Sequence, residues 1–123
     1  MKVIFFKVDG VLNFPDSDAV APSGAKGVAE ARVKQLKNIV QESGSRLVLY
    51  GSWTKDWNFD DAKCTVDGIY LNKKMNRRGI HILDKVNDDL SDSDGINDWL
   101  SRHPNVTEYC TLENIENVRW EEA

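Results

Sequence analysis

This chain lacks most of the features that mark out unusual proteins. Its 123 residues hold two cysteines, Cys64 and Cys110. Neither has CxxC or Cys/His spacing, so no disulfide framework and no zinc site is expected. Cys110, within Tyr109-Cys110-Thr111-Leu112, reads as a small core residue. Long apolar runs are missing too. The one after Met1 is broken by Lys7 and Asp9, too short and too charged for a signal peptide or a membrane span. Positive charge is not in excess either: 16 Lys and Arg stand against 20 Asp and Glu, a formal net charge of -4, with a pI near 5.1. Such a chain has no general attraction to nucleic acid or anionic membrane. These absences predict a cytoplasmic protein, and the length fits one domain, residues 1–123, with one core.

What is present alternates strand and helix. Val3 to Phe6 are apolar without alternation, as in a central strand of a parallel sheet covered on both faces. Asn13 to Ser23, with Pro15 and Pro22, reads as a loop. From Ala25 to Ser43, Ala29, Val33, Leu36 and Val40 recur at helical spacing, and Gly44 stands where a C-terminal cap belongs. Arg46 to Tyr50 is a second strand, giving a right-handed β-α-β unit with parallel neighbouring strands. Cys64 to Leu71 reads as a strand or an irregular extended segment, and Ile80 to Leu83 as an apolar cluster of ambiguous period. Ser91 and Asp94 form a capping box ahead of a helix carrying Ile96, Trp99 and Leu100, which Pro104 stops. Val106 to Leu112 follows as a strand, Glu113 to Val118 as a helical or loop exit, and Glu121 with Glu122 as a frayed tail.

The chemistry concentrates where the first strand ends. Ligands of open α/β sheets bind outside the carboxyl ends of strands, and Lys7 and Asp9, two apart, face that edge while Gly10 turns the backbone away. The run Val3-Ile4-Phe5-Phe6-Lys7-Val8-Asp9-Gly10-Val11-Leu12-Asn13 resembles motif I of the haloacid dehalogenase superfamily, a hydrophobic strand followed by Asp-x-Asp-Gly-Val-Leu-Asn. Lys7 stands where the first Asp belongs. Leu49-Tyr50-Gly51-Ser52-Trp53 resembles the superfamily's second motif, with either Gly51 or Ser52 in the phosphate-binding place. The segment from Ile96 through His103-Pro104 to Leu112 resembles the last helix and the strand into the fourth motif. The acidic pair expected there is Glu113-Asn114, one carboxylate and one amide. The third motif's lysine is absent before Ile96, where Asp92, Ser93 and Asp94 stand, leaving Lys73, Lys74, Arg77 or Arg78 as substitutes from further away.

This resemblance implies a three-layer, Rossmann-like α/β fold with a mostly parallel central sheet. It also implies phosphohydrolase chemistry, in which the first Asp attacks phosphorus, the second acts as general acid and base, and carboxylates hold Mg²⁺. Lys7 cannot take the first role, because an ammonium with an unperturbed pKa of about 10.4 is mostly protonated and non-nucleophilic. The expectation is therefore a degenerate site. Asp9 keeps the general acid/base position, Gly10, Gly51 and Ser52 form the phosphate-binding positions, and Asp9, Glu113 and Asn114 remain as remnants of a metal site with no metal expected. Lys7 is expected to pair with Asp9 and Glu113, an ammonium in place of the lost cation. The competing use of Lys7 is as a phosphate or carboxylate ligand. Such a domain would bind a partner protein or a phosphorylated small molecule. The alternative is an active Mg²⁺-dependent phosphohydrolase on a small phosphorylated or nucleic-acid-end substrate, using Asp9 with Glu113 or Asp56 as displaced nucleophile.

Other signals carry less. Leu90 to Ser101 resembles a calcium loop only at Asp92, Asp94 and Gly95, and its first and last positions cannot ligate. The run from Lys73 to Arg78 reads as a solvated loop, not a nucleic-acid patch. His81 and His103 read as structural, and Trp53 and Trp57 as core residues.

Overall fold

The computed structural model describes all residues, 1–123, and shows a five-stranded sheet between two helical layers. The strands are β1 (Lys2–Phe6), β2 (Arg46–Leu49), β3 (Ile82–Lys85), β4 (Glu108–Thr111) and β5 (Trp120–Glu122). Their order is β3-β2-β1-β4-β5, and only β5 runs antiparallel, against β4. The three-layer, mostly parallel expectation holds. Val3, Ile4, Phe5 and Phe6 are fully buried, because β1 is the middle strand and both its faces are covered.

The helices are α1 (Glu30–Ser43), α2 (Val66–Arg77) and α3 (Asp92–Ser101). The crossovers from β1 to β2 and from β2 to β3 place α1 and α2 on one face. There Val33, Leu36, Leu71 and Met75 join Ile4, Phe6, Leu47 and both Trp53 and Trp57 in the larger core. The connection from β3 to β4 returns across the sheet, so α3 covers the opposite face, with Ile96 and Trp99 against Val3, Phe5 and Val48. Trp99 is wholly buried, edge-on to Phe5 at 5.6 Å, and its Nε1 donates to Asp84 at 2.8 Å. His103 stacks on the Trp99 ring at 3.6 Å, a structural role as expected.

Four boundaries or elements differ from the sequence reading. Cys64 to Leu71 is not extended: Thr65 caps α2 through Gly68, and Gly68 lets the helix approach the Asp56 carbonyl so closely that a Cβ would sit 2.0 Å from it. Lys73 to Arg77 therefore lie on a helix and not in a loop. The first long helix begins at Glu30 instead of Ala25, because the chain before it is tied down elsewhere: Val20 bridges Lys26, the Val28 N–H donates to the Tyr70 hydroxyl at 2.9 Å, and Ser23 N–H donates to Asp67 at 3.0 Å. Glu121 and Glu122 are not frayed, since the edge of β4 offers a ladder and β5 takes it. The capping box at Ser91 is present, with its hydroxyl accepting from the Asp94 N–H at 3.2 Å, and Gly44 caps α1 in the left-handed conformation.

Candidate functional site

The carboxyl edge of β1 carries the candidate site. The backbone stays extended at Lys7 (φ -126°, ψ 162°), so its side chain follows the face of Phe5, toward α3. Asp9 (φ -71°, ψ 120°) and Gly10 (φ 88°, ψ -14°) then make the central pair of a type II turn. The second position of that turn needs a positive φ, which glycine adopts without steric cost. Asn13, almost fully buried, closes the loop: its Oδ1 accepts from the Gly10 N–H at 3.0 Å and its Nδ2 donates to Asp9 Oδ1 at 2.9 Å.

The end of β2 supplies the second wall. The Tyr50 N–H donates to the Phe6 carbonyl at 2.8 Å, extending the ladder as far as Tyr50, just before Gly51. Gly51 (φ 88°, ψ -167°) is in a region open essentially to glycine alone, and a Cβ there would lie 3.1 Å from the Lys7 Cβ. The two alternatives for the phosphate-binding place are thus both at the site but do different things. Gly51 packs against the Lys7 stem, and the Ser52 hydroxyl donates to Asp9 Oδ2 at 3.2 Å.

Lys7 enters a pocket of about 280 Å³ between α3 and the ends of β1 and β4, walled by Tyr50, Asp92, Thr111, Glu113 and Glu121. The expected pairing with Asp9 and Glu113 is not found: no carboxylate lies within ion-pair distance of the ammonium, and it makes no hydrogen bond. The reason is directional. The oxygens of Asp9 accept from Asn13 and Ser52, while Lys7 passes beside Gly10 and Gly51 into the pocket. One ammonium therefore shares this space with the carboxylates of Asp92, Glu113 and Glu121. Tyr50 donates its buried hydroxyl to the Leu112 carbonyl at 2.6 Å, tying the end of β2 to the end of β4. Burial first, then the nearby charges of Glu113 and Asp92, push its phenol well above the usual tyrosine range. Tyr109 is raised chiefly by the Glu121 carboxylate, its cross-strand neighbour.

The remaining candidates separate from this edge. The Asn114 side chain accepts from the Glu116 N–H at 3.1 Å in a local turn. Asp56 accepts from the Thr65 hydroxyl at 2.9 Å, holding the start of α2. None of Lys73, Lys74, Arg77 and Arg78 lines the pocket, and Lys74 and Arg78 instead bind Glu30 at 2.9 and 3.3 Å. The cation that sequence reasoning missed is Lys85, at the carboxyl end of β3. It donates to the carbonyls of Thr54 and Trp57 at 2.7 and 2.9 Å and so fixes the loop behind Gly51 and Ser52. Its signal was available: Asp84-Lys85 ends the apolar run from Ile80 as Lys7 and Asp9 end the first strand.

A hard dication takes several carboxylate oxygens at once. No group of three His, Cys, Asp or Glu side chains is arranged to hold a metal ion, and the side chains bonded to Asp9 are an amide and a hydroxyl.

A mostly parallel sheet with an Asp-Gly turn at its central carboxyl edge and a Gly-Ser segment beside it defines a domain of haloacid dehalogenase type. The family described as "HAD domain in Swiss Army Knife RNA repair proteins" matches residues 3–123, and the chain belongs to that family. No curated protein and no solved structure matches it. No helix is long and apolar enough to cross a membrane.

Proposed function

We propose that this domain is a haloacid dehalogenase scaffold whose phosphohydrolase site has become a metal-independent binding site. The observation that carries this reading is the Lys7 side chain, seated against Gly51 and free of any ion pair at the place where the family's pattern has its nucleophile. A protonated amine offers no lone pair to phosphorus. The donor set around Asp9 suits hydrogen bonding and not a hard dication. The alternative nucleophiles lack support: Asp56 holds Thr65, and Glu113 shares its pocket with Asp92 and Glu121, whose charges oppose an incoming phosphate.

The pocket's own charges select its occupant. A bare phosphate dianion would meet Lys7 but also Asp92, Glu113 and Glu121, so a ligand that offers an anionic group to Lys7 and a cationic or hydrogen-donating group to the carboxylates fits better. A polar segment of a partner protein or a phosphorylated small molecule bearing an amine has that chemistry. Because the family is described from RNA repair proteins, recognition within such a protein belongs to the same proposal.

The test is an aryl phosphate assay with Mg²⁺ on the 123-residue chain. Release at the buffer rate is expected. Turnover at enzyme-like rates that Asp9→Asn abolishes would overturn the proposal and establish the Mg²⁺-dependent alternative.

A further inference from the structure

The net charge of -4 conceals a division between the two faces of the sheet. The helical layer of α1 and α2, taken through Arg78, holds seven basic residues against three acidic, whereas residues 84–123 hold three basic against eleven acidic. No acidic residue interrupts α1 between Glu30 and Glu42, and none occurs between Asp67 and Asp84. The acidic set includes the carboxylates around Lys7, on the side of α3. Because α1 and α2 lie together on the opposite face, their cations form one surface and not two scattered runs.

Glu30 sits at the seam. Lys74 and Arg78 of the α2 end reach it, so that end lies against the first turn of α1. Lys34 and Lys37, four and seven residues after Glu30, share its side of α1. Lys73 and Arg77 stand one residue before each of the paired cations and four apart, on the outer side of α2. These four side chains make no ion pair and no hydrogen bond, and Lys34, Lys73 and Arg77 are exposed. Glu30 neutralises only part of the seam, leaving a ribbon of solvated cations along both helices.

We infer that this two-helix face docks the phosphate backbone of a nucleic acid, apart from the Lys7 pocket and independently of whether that pocket has chemistry. Charge complementarity carries the inference: repeated phosphates suit a ribbon of flexible, unpaired cations, and the acidic opposite face turns this side toward the polyanion. An anionic membrane suits it less. Peripheral helices insert apolar side chains, and the large apolar residues that stand exposed, Val20, Phe59, Val66, Leu90 and Val118, all lie outside residues 31–41 and 73–78. The loop reading of Lys73 to Arg78 gives way to α2, and this inference departs from the expectation drawn from overall charge.

Fluorescence anisotropy of a labelled oligouridine with the full chain tests this, titrated from about 50 to 200 mM salt. Four phosphate contacts give a slope of log K against log salt of about -3 for a single strand. Lys73→Glu with Arg77→Glu is expected to weaken binding at least tenfold and flatten the slope. The control Arg46→Glu with Lys63→Glu carries the same net charge and is expected to bind as the parent does. Circular dichroism melts confirm that both variants fold, and if the α2 pair does not, Lys34→Glu with Lys37→Glu replaces it. Absence of binding at the lowest salt, equal loss in the control, equally tight binding of polyglutamate, or binding to phosphatidylserine vesicles without binding to the oligonucleotide would each overturn the inference.

Discussion

The Cβ of Lys7 lies 3.1 Å from where a Cβ on Gly51 would stand, so the cation at the end of β1 and the glycine at the end of β2 are one packing unit. Gly51→Ser is expected to destabilise the chain by about 1–3 kcal/mol, through the unfavourable backbone conformation and the contact together. Combining it with Lys7→Ala cannot remove the contact at Cβ, but it frees the stem that lies 3.8 Å from the same point. The double variant should therefore recover a minor part of the loss, read as the coupling in a urea double-mutant cycle. Full additivity would show that the two residues are independent.

Replacing the ammonium tests the binding-site proposal from the metal side. The parent chain is expected to give no saturable heat with Mg²⁺ by calorimetry, whereas Lys7→Asp removes the repulsion and adds a carboxylate at the mouth of the pocket that Glu113 lines. A gain of affinity in the millimolar range is the expected outcome. Saturable binding by the parent would show that the ammonium does not block the site.

Much of this arrangement was legible in the sequence, for identifiable reasons. The unbroken apolar run of β1 marks a strand covered twice, and the capping box at Ser91 marks α3, because each is a local pattern with one physical solution. The start of α2 was not legible. Val66-Asp67-Gly68 has weak helical propensity, and the helix there depends on Thr65 as its cap and on Gly68 seated against Asp56, a long-range fit. The candidate site was read from Asp9-Gly10, but the direction of Lys7 was not readable there. Which face a strand-end side chain takes depends on the extended backbone at Lys7 and on Asn13 and Ser52 holding Asp9, and neither is a sequence pattern.

Tyr50 links the two strand ends that flank the pocket. Tyr50→Phe removes the donor from a buried carbonyl at Leu112 and is expected to cost about 1–2 kcal/mol at neutral pH. Burial raises its phenol pKa in the folded state, so its contribution is fully present below the ordinary value of 10.0 and is lost as pH rises beyond it. The alkaline limb of the stability profile should be shallower in Tyr50→Phe. An unchanged limb would place the titration elsewhere.

Glu30 joins the α1 and α2 layer through Lys74 and Arg78. Hydrogen bonding from Lys74, with a smaller part from Arg78, holds its carboxyl below the ordinary value of 4.5. That stability is present above 4.5 and is lost as pH falls through the lower folded value. The pair is substantially exposed, so Glu30→Gln should cost no more than about 1 kcal/mol at pH 7 in low salt. The difference from the parent should vanish in strong acid and shrink in high salt, both readable from urea midpoints.

Asn13 gives the sharpest test of how the Asp9 turn is held. Its amide serves the Gly10 N–H and Asp9 at once, and it is 3% exposed. Asn13→Asp keeps the acceptor for Gly10 but sets a second carboxylate against Asp9 where a donor had been. Two like charges in one poorly solvated place raise the pKa of one of them. A destabilisation of about 2 kcal/mol at pH 7 is expected. Since the raised group binds its proton more readily in the folded than in the unfolded chain, the penalty should decline as pH falls through the carboxylate range. A penalty that stays constant from pH 7 to pH 4 would mean that Asp9 turns away to solvent when its donor is lost, and that Asn13 positions the turn through Gly10 alone.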